Sequence, residues 1–365
     1  MRSGFTTGSC AAAASKAAAY MLLGGCIKDR ISITTPKGIV FDAEIMDIHR
    51  SADEVSCAVI KDGGDDPDVT TGAYIYARVA VSDREPGTVY IDGGEGVGRV
   101  TLPGLDQPVG NAAINSVPRQ MIDSEVKEVM QLFDYEGSLD VTIYVPDGES
   151  IAEKTFNSRL GITGGISIIG TSGIVEPMSK QALIDTIRVE LEQKHALGIK
   201  NIVIAPGNYG MDFIRTQYNY DLDKAVKCSN FIGETLDMIG DIGFENVMLC
   251  GHIGKLIKLS GGIMNTHSKE ADCRMELMAA AALYAGANTD TLSDIMKCVS
   301  TDAGYEVLLM SGLAEKTMEN MMERISYYLD KRAAGRFRIE CIVFSNEYGL
   351  LGETAGAKDL MNGIR

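Results

Sequence analysis

The 365-residue sequence has no tryptophan, no Cys-x-x-Cys pair, and no apolar run near the roughly 20 residues a membrane helix requires. It also has no internal repeat and no low-complexity segment. The missing apolar run excludes a membrane-spanning helix. The eight cysteines stand singly at 10, 26, 57, 228, 250, 273, 298 and 341. That scatter predicts reduced, mostly buried thiols in a cytoplasmic protein. Positive charge is scarce, with 34 Lys and Arg against 50 Asp and Glu, a formal net charge of −16. Such a field repels nucleic acid and anionic membrane surfaces, so neither is an expected partner. An anionic substrate would need a local basic pocket set against that background. Neither G-x-x-x-x-G-K-[ST] nor a complete G-x-G-x-x-G occurs, so no phosphate-binding motif supports an ATP-dependent phosphate-transfer enzyme.

The composition present is that of an ordinary globular protein, with 45% apolar and 23% charged residues, and the chain is long enough for two cores. Leu22-Leu23-Gly24-Gly25-Cys26 resembles a lipoprotein cleavage box, but the apolar run before it extends only from Ala17 to Leu23 and follows Lys16. A secretory core is longer and uncharged, so a buried helix is the expected outcome. Thr6, Thr7 and Ser9 precede an Ala-rich helical stretch that stops at Gly24-Gly25. They serve as caps or, equally, hold an anion at a helix N-terminus.

From Ile31 to Thr101 the pattern is one of short strands: Ile31–Thr34, Ile39–Ile48, Val55–Lys61, Ala73–Val81, Thr88–Ile91 and Gly98–Leu102. The turn Lys61–Gly72 contains Asp62, Asp65, Asp66 and Asp68. Its spacing is not that of a calcium loop, so a self-bonded turn with Asp62 or Asp66 facing a substrate is favoured over Mg²⁺ or Ca²⁺ binding. The glycines from Gly93 to Gly98 read as a hairpin. Pro118-Arg119 opens a helix to Phe133, which places Arg119 at the end suited to a carboxylate. Glu149–Asn157 is the expected boundary. Beyond it strands and helices alternate: strands at Gly165–Ile169, Asn201–Ala205, Val247–Cys250 and Ile339–Phe344, with helices at Ser179–His195, Leu222–Ile239, 268–286, 290–299 and 314–333. Met318, Met321, Met322, Ile325 and Leu329 form a core stripe on the last of these helices.

The reading is therefore a two-domain α/β protein. An α+β N-terminal domain spans 1–150, and a Rossmann-like three-layer α/β/α domain with a mainly parallel sheet spans 157–365. In such a sheet the small-residue loops after the strands gather at one edge, where ligands bind. Gly170, Thr171, Ser172 and Gly173, then Gly207, Asn208 and Gly210, then Gly251 are the loop residues suited to a nucleoside-type ligand. His252 would lie among backbone donors, able to hold or deprotonate a ligand; a packed histidine is the alternative. Cys250, His252, His267 and Cys273 have spacings that argue against zinc. Cys250 reads as an inert core thiol.

Several long stretches carry a resemblance: Phe5-Thr-Thr-Gly-Ser-Cys-Ala-Ala-Ala-Ala-Ser-Lys, Asp62-Gly-Gly-Asp-Asp-Pro-Asp-Val-Thr, and Gly93-Gly-Glu-Gly-Val-Gly-Arg-Val-Thr-Leu-Pro-Gly-Leu. To these are added Ala113-Ile-Asn-Ser-Val-Pro-Arg, Asn157-Ser-Arg-Leu-Gly-Ile-Thr-Gly-Gly-Ile-Ser-Ile-Ile-Gly-Thr-Ser-Gly-Ile-Val, Gly207-Asn-Tyr-Gly, and Gly251-His-Ile-Gly-Lys through Asn265-Thr-His-Ser. From residue 4 to about 350 the chain resembles the CbiD family of cobalt-precorrin-5B C1-methyltransferases, with Ser116 standing where proline is expected. The resemblance implies methyl transfer from S-adenosylmethionine to ring carbon C1 of an anionic, cobalt-bearing tetrapyrrole. The cobalt arrives with the substrate, so no protein-bound metal is expected.

On that reading S-adenosylmethionine lies over the loops at 170–173, 207–210 and 251–252. The tetrapyrrole meets Thr6, Thr7, Lys16, Arg99, Arg119 and Lys255, with His252 and Asp66 as catalytic candidates. The first domain faces the tetrapyrrole and the second faces the donor. A homo-oligomer is left open. The alternative from another class is a non-catalytic carrier that shields the corrin intermediate.

Overall fold

The structure is a computed structural model and describes residues 1–155, 157–158, 160–177 and 179–364. Arg159, within the stretch beginning at Asn157, lies outside the described residues. The fold is mixed α/β, and the chain separates into two compact units, Met1–Lys180 and Gln181–Arg365.

The first unit is built around helix α1 (Thr7–Gly24), whose run of alanines is buried on nearly every side. A helix that is apolar all round belongs inside a core, and alanine lets its neighbours approach closely. Thr6 caps it by accepting from the Ser9 N–H, and Gly25 ends it in the left-handed region at φ 69°. The run that precedes the segment resembling a lipoprotein box is therefore core, with Ala17, Ala18, Ala19 and Met21 fully buried, while Leu22 to Gly24 are partly buried and Gly25 and Cys26 are exposed.

Strands β1 (Arg30–Thr34) and β2 (Val40–Glu44) form a hairpin. Strands β3 (Met46–Arg50), β4 (Glu54–Ile60), β5 (Tyr74–Ser82), β6 (Val89–Gly93) and β7 (Ser138–Tyr144) form a sheet in the order β3-β4-β5-β7-β6. It is antiparallel except where β7 runs parallel to β6. Its inward residues, Val55, Cys57, Ile75, Ala77, Val79, Val141 and Ile143, pack with α1 and with α2 (Ser116–Leu132).

The expected boundary at 149–157 is displaced. Residues 162–175 return to the first unit as three two-residue strands. Ile162–Thr163 pairs with Arg99–Val100, Gly165–Ile166 with Gly96–Val97, and Ile174–Val175 with Gly4–Phe5. These pairings hold the segment to the first core, so Gly165–Ile169 does not open the second domain. They also correct the hairpin at 93–98, because Gly96–Val97 pairs with Gly165–Ile166.

In the second unit, α3 (Lys180–Ala196) leads to β8 (Asn201–Ala205), followed by α4 (Asn208–Tyr218), β9 (Ala225–Lys227), α5 (Ile232–Ile242) and β10 (Asn246–His252). After a short helix α6 (Ile253–Leu256) come α7 (Arg274–Tyr284), α8 (Thr289–Lys297), α9 (Thr301–Met310), α10 (Ala314–Ala333), β11 (Arg338–Ser345), β12 (Gly349–Glu353) and α11 (Ala357–Gly363). The sheet order is β9-β8-β10-β11-β12, parallel throughout except for β12.

Successive strand residues face opposite sides, and both sides are covered. Ile202, Ile204, Val247, Leu249, Ile339 and Cys341 pack with Leu236, Met278, Met321, Ile325 and Leu329 of α5, α7 and α10. Val203, Ala205, Met248, Cys250, Ile342 and Phe344 pack with Met211 and Ile214 of α4 and with Leu360 and Met361 of α11. The methionine stripe of α10 is core, as its helical spacing implied. The expected helix Leu222–Ile239 is instead a 3₁₀ turn at Leu222–Lys224, the strand β9 and the helix α5. Three strand residues are too few to show a period of two.

Candidate functional site

Strand β8 sends the chain through α4 to β9 on one flank, while β10 sends it through α6–α10 to β11 on the other. A crevice opens at the carboxyl ends of two such neighbours, the place where ligands enter parallel sheets. Pro206 and Gly207 follow β8, and His252 closes β10. The Lys255 ammonium donates to the Pro206 carbonyl at 3.1 Å, tying one strand exit to the other.

Gly207 is extended (φ 175°), has open space where a Cβ would stand, and precedes α4 without a side-chain cap. The residues read as a loop, 208–210, thus form the uncapped first turn of a helix, whose amides favour negative charge. Gly210 has a packing reason as well, since a Cβ there would lie 2.7 Å from the Cys250 carbonyl oxygen and 2.8 Å from the Ala205 Cβ. At Gly251 a Cβ would meet the Leu256 side chain at 2.9 Å. Cys250 is fully buried, and burial pushes its thiol well above the usual range. A thiol held in its neutral form there is inert.

His252 is half-buried and serves as the cap of α6. Its Nδ1 accepts from the Gly254 N–H at 3.1 Å, and its ring stands edge-on to Phe344 at 5.7 Å. An Nδ1 that accepts leaves the ring proton on Nε2, the atom 3.8 Å from Asp302 Oδ1. Asp302 also accepts from the Ser345 hydroxyl, which in turn accepts from the N–H groups of Glu347 and Tyr348. The imidazole is therefore held by the scaffold at Nδ1, while Nε2 faces Asp302 from beyond hydrogen-bond distance.

Beyond α6 lies a cavity of about 370 Å³ whose wall includes Asn230, Lys255, Lys258, Thr266, His267 and Arg274. Lys258 is buried and donates to the carbonyls of Thr266 at 3.0 Å and Ala271 at 2.7 Å. Burial holds the Lys255 ammonium below its ordinary value. Arg274 grips Asp272 through Nε and Nη2, at 2.7 and 2.9 Å. No acidic residue lines this cavity among the described residues.

The remaining expected site residues belong to the first unit. There Gly170–Gly173 closes over the start of α1. The Gly8 N–H donates to Ile169 O at 3.0 Å, the Thr6 N–H and the Ser9 hydroxyl both donate to Gly173 O, and Thr7 Oγ1 accepts from the Ile169 N–H at 2.9 Å. A Cβ at Gly170, where φ is +141°, would meet Thr6 Oγ1 at 2.2 Å. Thr6 and Thr7 are buried, Thr6 as the cap and Thr7 through its bonds to residues 167 and 169. Gly170, Thr171, Ser172 and Gly173 thus sit with Thr6 and Thr7, in a different unit from Gly207, Asn208, Gly210 and Gly251.

Of the four expected cations, three are bound into the scaffold. Lys16 joins α1 to α2 through Glu125 and Glu128, at 2.6 and 3.0 Å. Arg99 grips Asp92 and the Gly93 carbonyl. Arg119 donates to the carbonyls of Ile114, Ile91 and Ala112, and burial lowers its pKa. The aspartate turn likewise answers its own charges. Asp68 holds the buried Lys61 at 2.6 Å, Asp62 pairs with Arg2, and Asp65 accepts from the Arg2 N–H. Asp66 is partly exposed on this turn.

Sequence reasoning named Lys255 and noted His267 but missed Lys258, Arg274 and Asn230. Lys258 had a signal, since it stands one helical turn beyond Lys255.

The family described as CbiD matches residues 1–177, and the one described as CbiD, C-terminal domain, matches residues 265–355. A relative from Ruminiclostridium cellulolyticum, named cobalt-precorrin-5B C(1)-methyltransferase, is 47% identical over 366 residues, covering 99% of this chain and 94% of its own. One of the same name from Alkaliphilus metalliredigens is 44% identical over 361 residues, with coverages of 99% and 94%. The crystal structure of a cobalamin biosynthesis protein (cbiD) from Archaeoglobus fulgidus is 27% identical, covers 74% of this chain and 83% of its own, and has a TM-score of 0.40.

Proposed function

The chain belongs to the CbiD family, and we propose that it methylates C1 of cobalt-precorrin-5B, using S-adenosylmethionine, to give cobalt-precorrin-6A in anaerobic cobalamin biosynthesis. The observation that carries this reading is near-full-length identity of 47% to a relative of that name. The protein is then a C-methyltransferase whose cobalt is part of the substrate. The reduced, scattered cysteines support a cytoplasmic location, and no described helix is long and apolar enough to cross a membrane.

S-adenosylmethionine supplies an electrophilic methyl group on a sulfonium sulfur. What such a transfer requires of the protein is alignment and exclusion of water, with no covalent intermediate. We assign the donor to the crevice between β8 and β10. The Rossmann-like reading of the second unit is supported there by a parallel sheet covered on both faces. The uncapped turn at Gly207, Asn208 and Gly210, together with Gly251, suits a polar ligand in that crevice. Lys255 is the cation kept for an anionic group. Lys16, Arg99 and Arg119 are kept as scaffold, because each already holds protein acceptors. Asp66 remains the carboxylate proposed to take a substrate proton, whereas His252, whose Nδ1 caps α6, is proposed to position the exit of β10.

The test is anaerobic incubation of the full chain with cobalt-precorrin-5B and methyl-labelled S-adenosylmethionine, read by mass spectrometry of the tetrapyrrole. One labelled methyl on the ring is expected. An unmodified tetrapyrrole that stays bound, with the donor untouched, would instead identify a carrier.

A further inference from the structure

We infer that the cavity beyond α6 is a carboxylate-binding site, with Lys255 and Arg274 as its charged contacts and Lys258 as the brace that forms its wall. The inference rests on the methyltransferase reading, because that reaction brings two sources of carboxylate: the amino-acid end of the donor and the acidic side chains of the tetrapyrrole.

Four observations carry it. The cavity measures about 370 Å³, within the range of small-molecule sites. Its wall has three cationic side chains and no carboxylate, although acidic residues outnumber basic ones by 50 to 34 in the chain. Such a reversal of sign makes a local positive potential inside a negative field, which an anion follows. Both lysines direct their hydrogen bonds to carbonyls: Lys255 to Pro206, Lys258 to Thr266 and Ala271. An ammonium carries three donors, so Lys255 keeps two for a ligand. The guanidinium of Arg274 meets Asp272 through Nε and Nη2, leaving both Nη1 donors and one on Nη2.

The neutral groups have the same polarity. His267 Nδ1 accepts from the Lys269 N–H at 3.0 Å, which leaves an N–H on Nε2. Asn230 uses its side-chain oxygen to accept from Thr266, which leaves its NH₂ group as donor. His267 and Asn230 thus add proton donors to the three cations of the wall. The site also adjoins the strand exits, since Lys255 itself reaches the carbonyl that follows β8. Asp272 is the nearby acid. It is already held by Arg274, and the Arg274 hydrogen bond keeps its carboxyl below the usual range, with Lys258 adding to the effect.

The experiment uses the full-length protein and two variants, Lys255→Met and Arg274→Gln, the second leaving the Pro206 contact intact. Folding is checked by melting temperature. Calorimetric affinities are measured for S-adenosylhomocysteine, for 5′-methylthioadenosine, which lacks the amino-acid end, and for cobalt-precorrin-5B. If the cavity takes the donor's carboxylate, both variants weaken S-adenosylhomocysteine by about ten- to a hundredfold and leave methylthioadenosine unchanged. If it takes the tetrapyrrole's carboxylates, the loss of the same size falls on cobalt-precorrin-5B alone. Folded variants that keep all three affinities overturn the assignment. Wild-type methylation is measured in parallel. Its absence would overturn the parent reading, while the affinity arms still decide the cavity.

Discussion

His252 accepts the Gly254 N–H at 3.1 Å through Nδ1 and presents Nε2 to Asp302 at 3.8 Å, so the ring that ends β10 also begins α6. That relationship separates two roles for this histidine. As a cap it is replaceable by another short acceptor; as a proton carrier it is not. We expect His252→Ala to cost about 1 kcal/mol of stability, the usual worth of a cap, and His252→Asn to recover most of it. Turnover should follow stability in the pair. A fully folded His252→Asn protein that has lost methylation by two orders of magnitude would restore the catalytic role.

Gly210 and Gly207 should respond in opposite ways to alanine. At Gly210 the new Cβ meets a backbone oxygen at 2.7 Å, which cannot move without displacing β10. Overpacking of that kind costs roughly 1–3 kcal/mol. At Gly207 there is open space and an extended backbone, so Gly207→Ala should melt like the wild type. Any loss of S-adenosylhomocysteine affinity in that variant reports on the ligand surface alone.

Arg119 is bound to three backbone carbonyls, so its replacement should be felt in stability. Charge-assisted bonds of this kind are worth about 1.5–3 kcal/mol each, with strong overlap among neighbours. Arg119→Met is expected to unfold at lower denaturant by about 2 kcal/mol, while the folded fraction keeps its affinity for cobalt-precorrin-5B. A selective loss of tetrapyrrole binding at unchanged stability would contradict the scaffold role.

The pair of buried Lys61 and half-buried Asp68 sets an acid limit. Burial alone would raise the Asp68 carboxyl, but the hydrogen bond from Lys61 and those from Thr70 outweigh it, and its folded pKa lies below the ordinary 3.8. A depressed carboxyl stabilises fully above its unfolded value and loses that contribution as pH falls through its folded value. Stability should therefore decline below about pH 4. Asp68→Asn should flatten that limb and, by leaving the Lys61 ammonium without its partner, cost about 3 kcal/mol at neutral pH. Urea titrations between pH 2 and 7 measure both effects.

Alkylation should sort the cysteines by burial. Cys10 and Cys228 are enclosed and pushed up to about 12, burial also raises Cys250 well above the usual thiol range, and Cys26 is exposed. Iodoacetamide on the native protein is expected to modify Cys26 first and to leave methylation intact. Peptide mapping after brief labelling decides it. Early modification of Cys250 would mean that β10 opens readily.

Local pattern was enough for some of this architecture and not for the rest. Asn201–Ala205 and Ala314–Ala333 have the bounds their patterns imply, the first as a short apolar run buried on both faces and the second as a helix that buries one stripe. The helix Asn208–Tyr218 begins with Gly-Asn-Tyr-Gly, whose composition is that of a turn; Gly210 is there for contact with Cys250, a neighbour 40 residues away. The unit boundary fell at Lys180 because two-residue strands at 162–175 pair with residues 4–5, 96–97 and 99–100, and no local window contains both partners. At the candidate site, Lys255 was visible beside its glycines, while Arg274 reaches the cavity from a separate helix.

The start of α1 is sealed by residues 169–173, and Phe5 finds its strand partner at Ile174. During synthesis the start of the first helix therefore leaves the ribosome more than 160 residues before the segment that covers it. Loop closure over that distance is slow compared with helix formation. A nascent chain cut at residue 160 should bind chaperones and yield to protease at α1, and one cut at 180 should resist both. The first unit is thus assembled late, from its two ends at once.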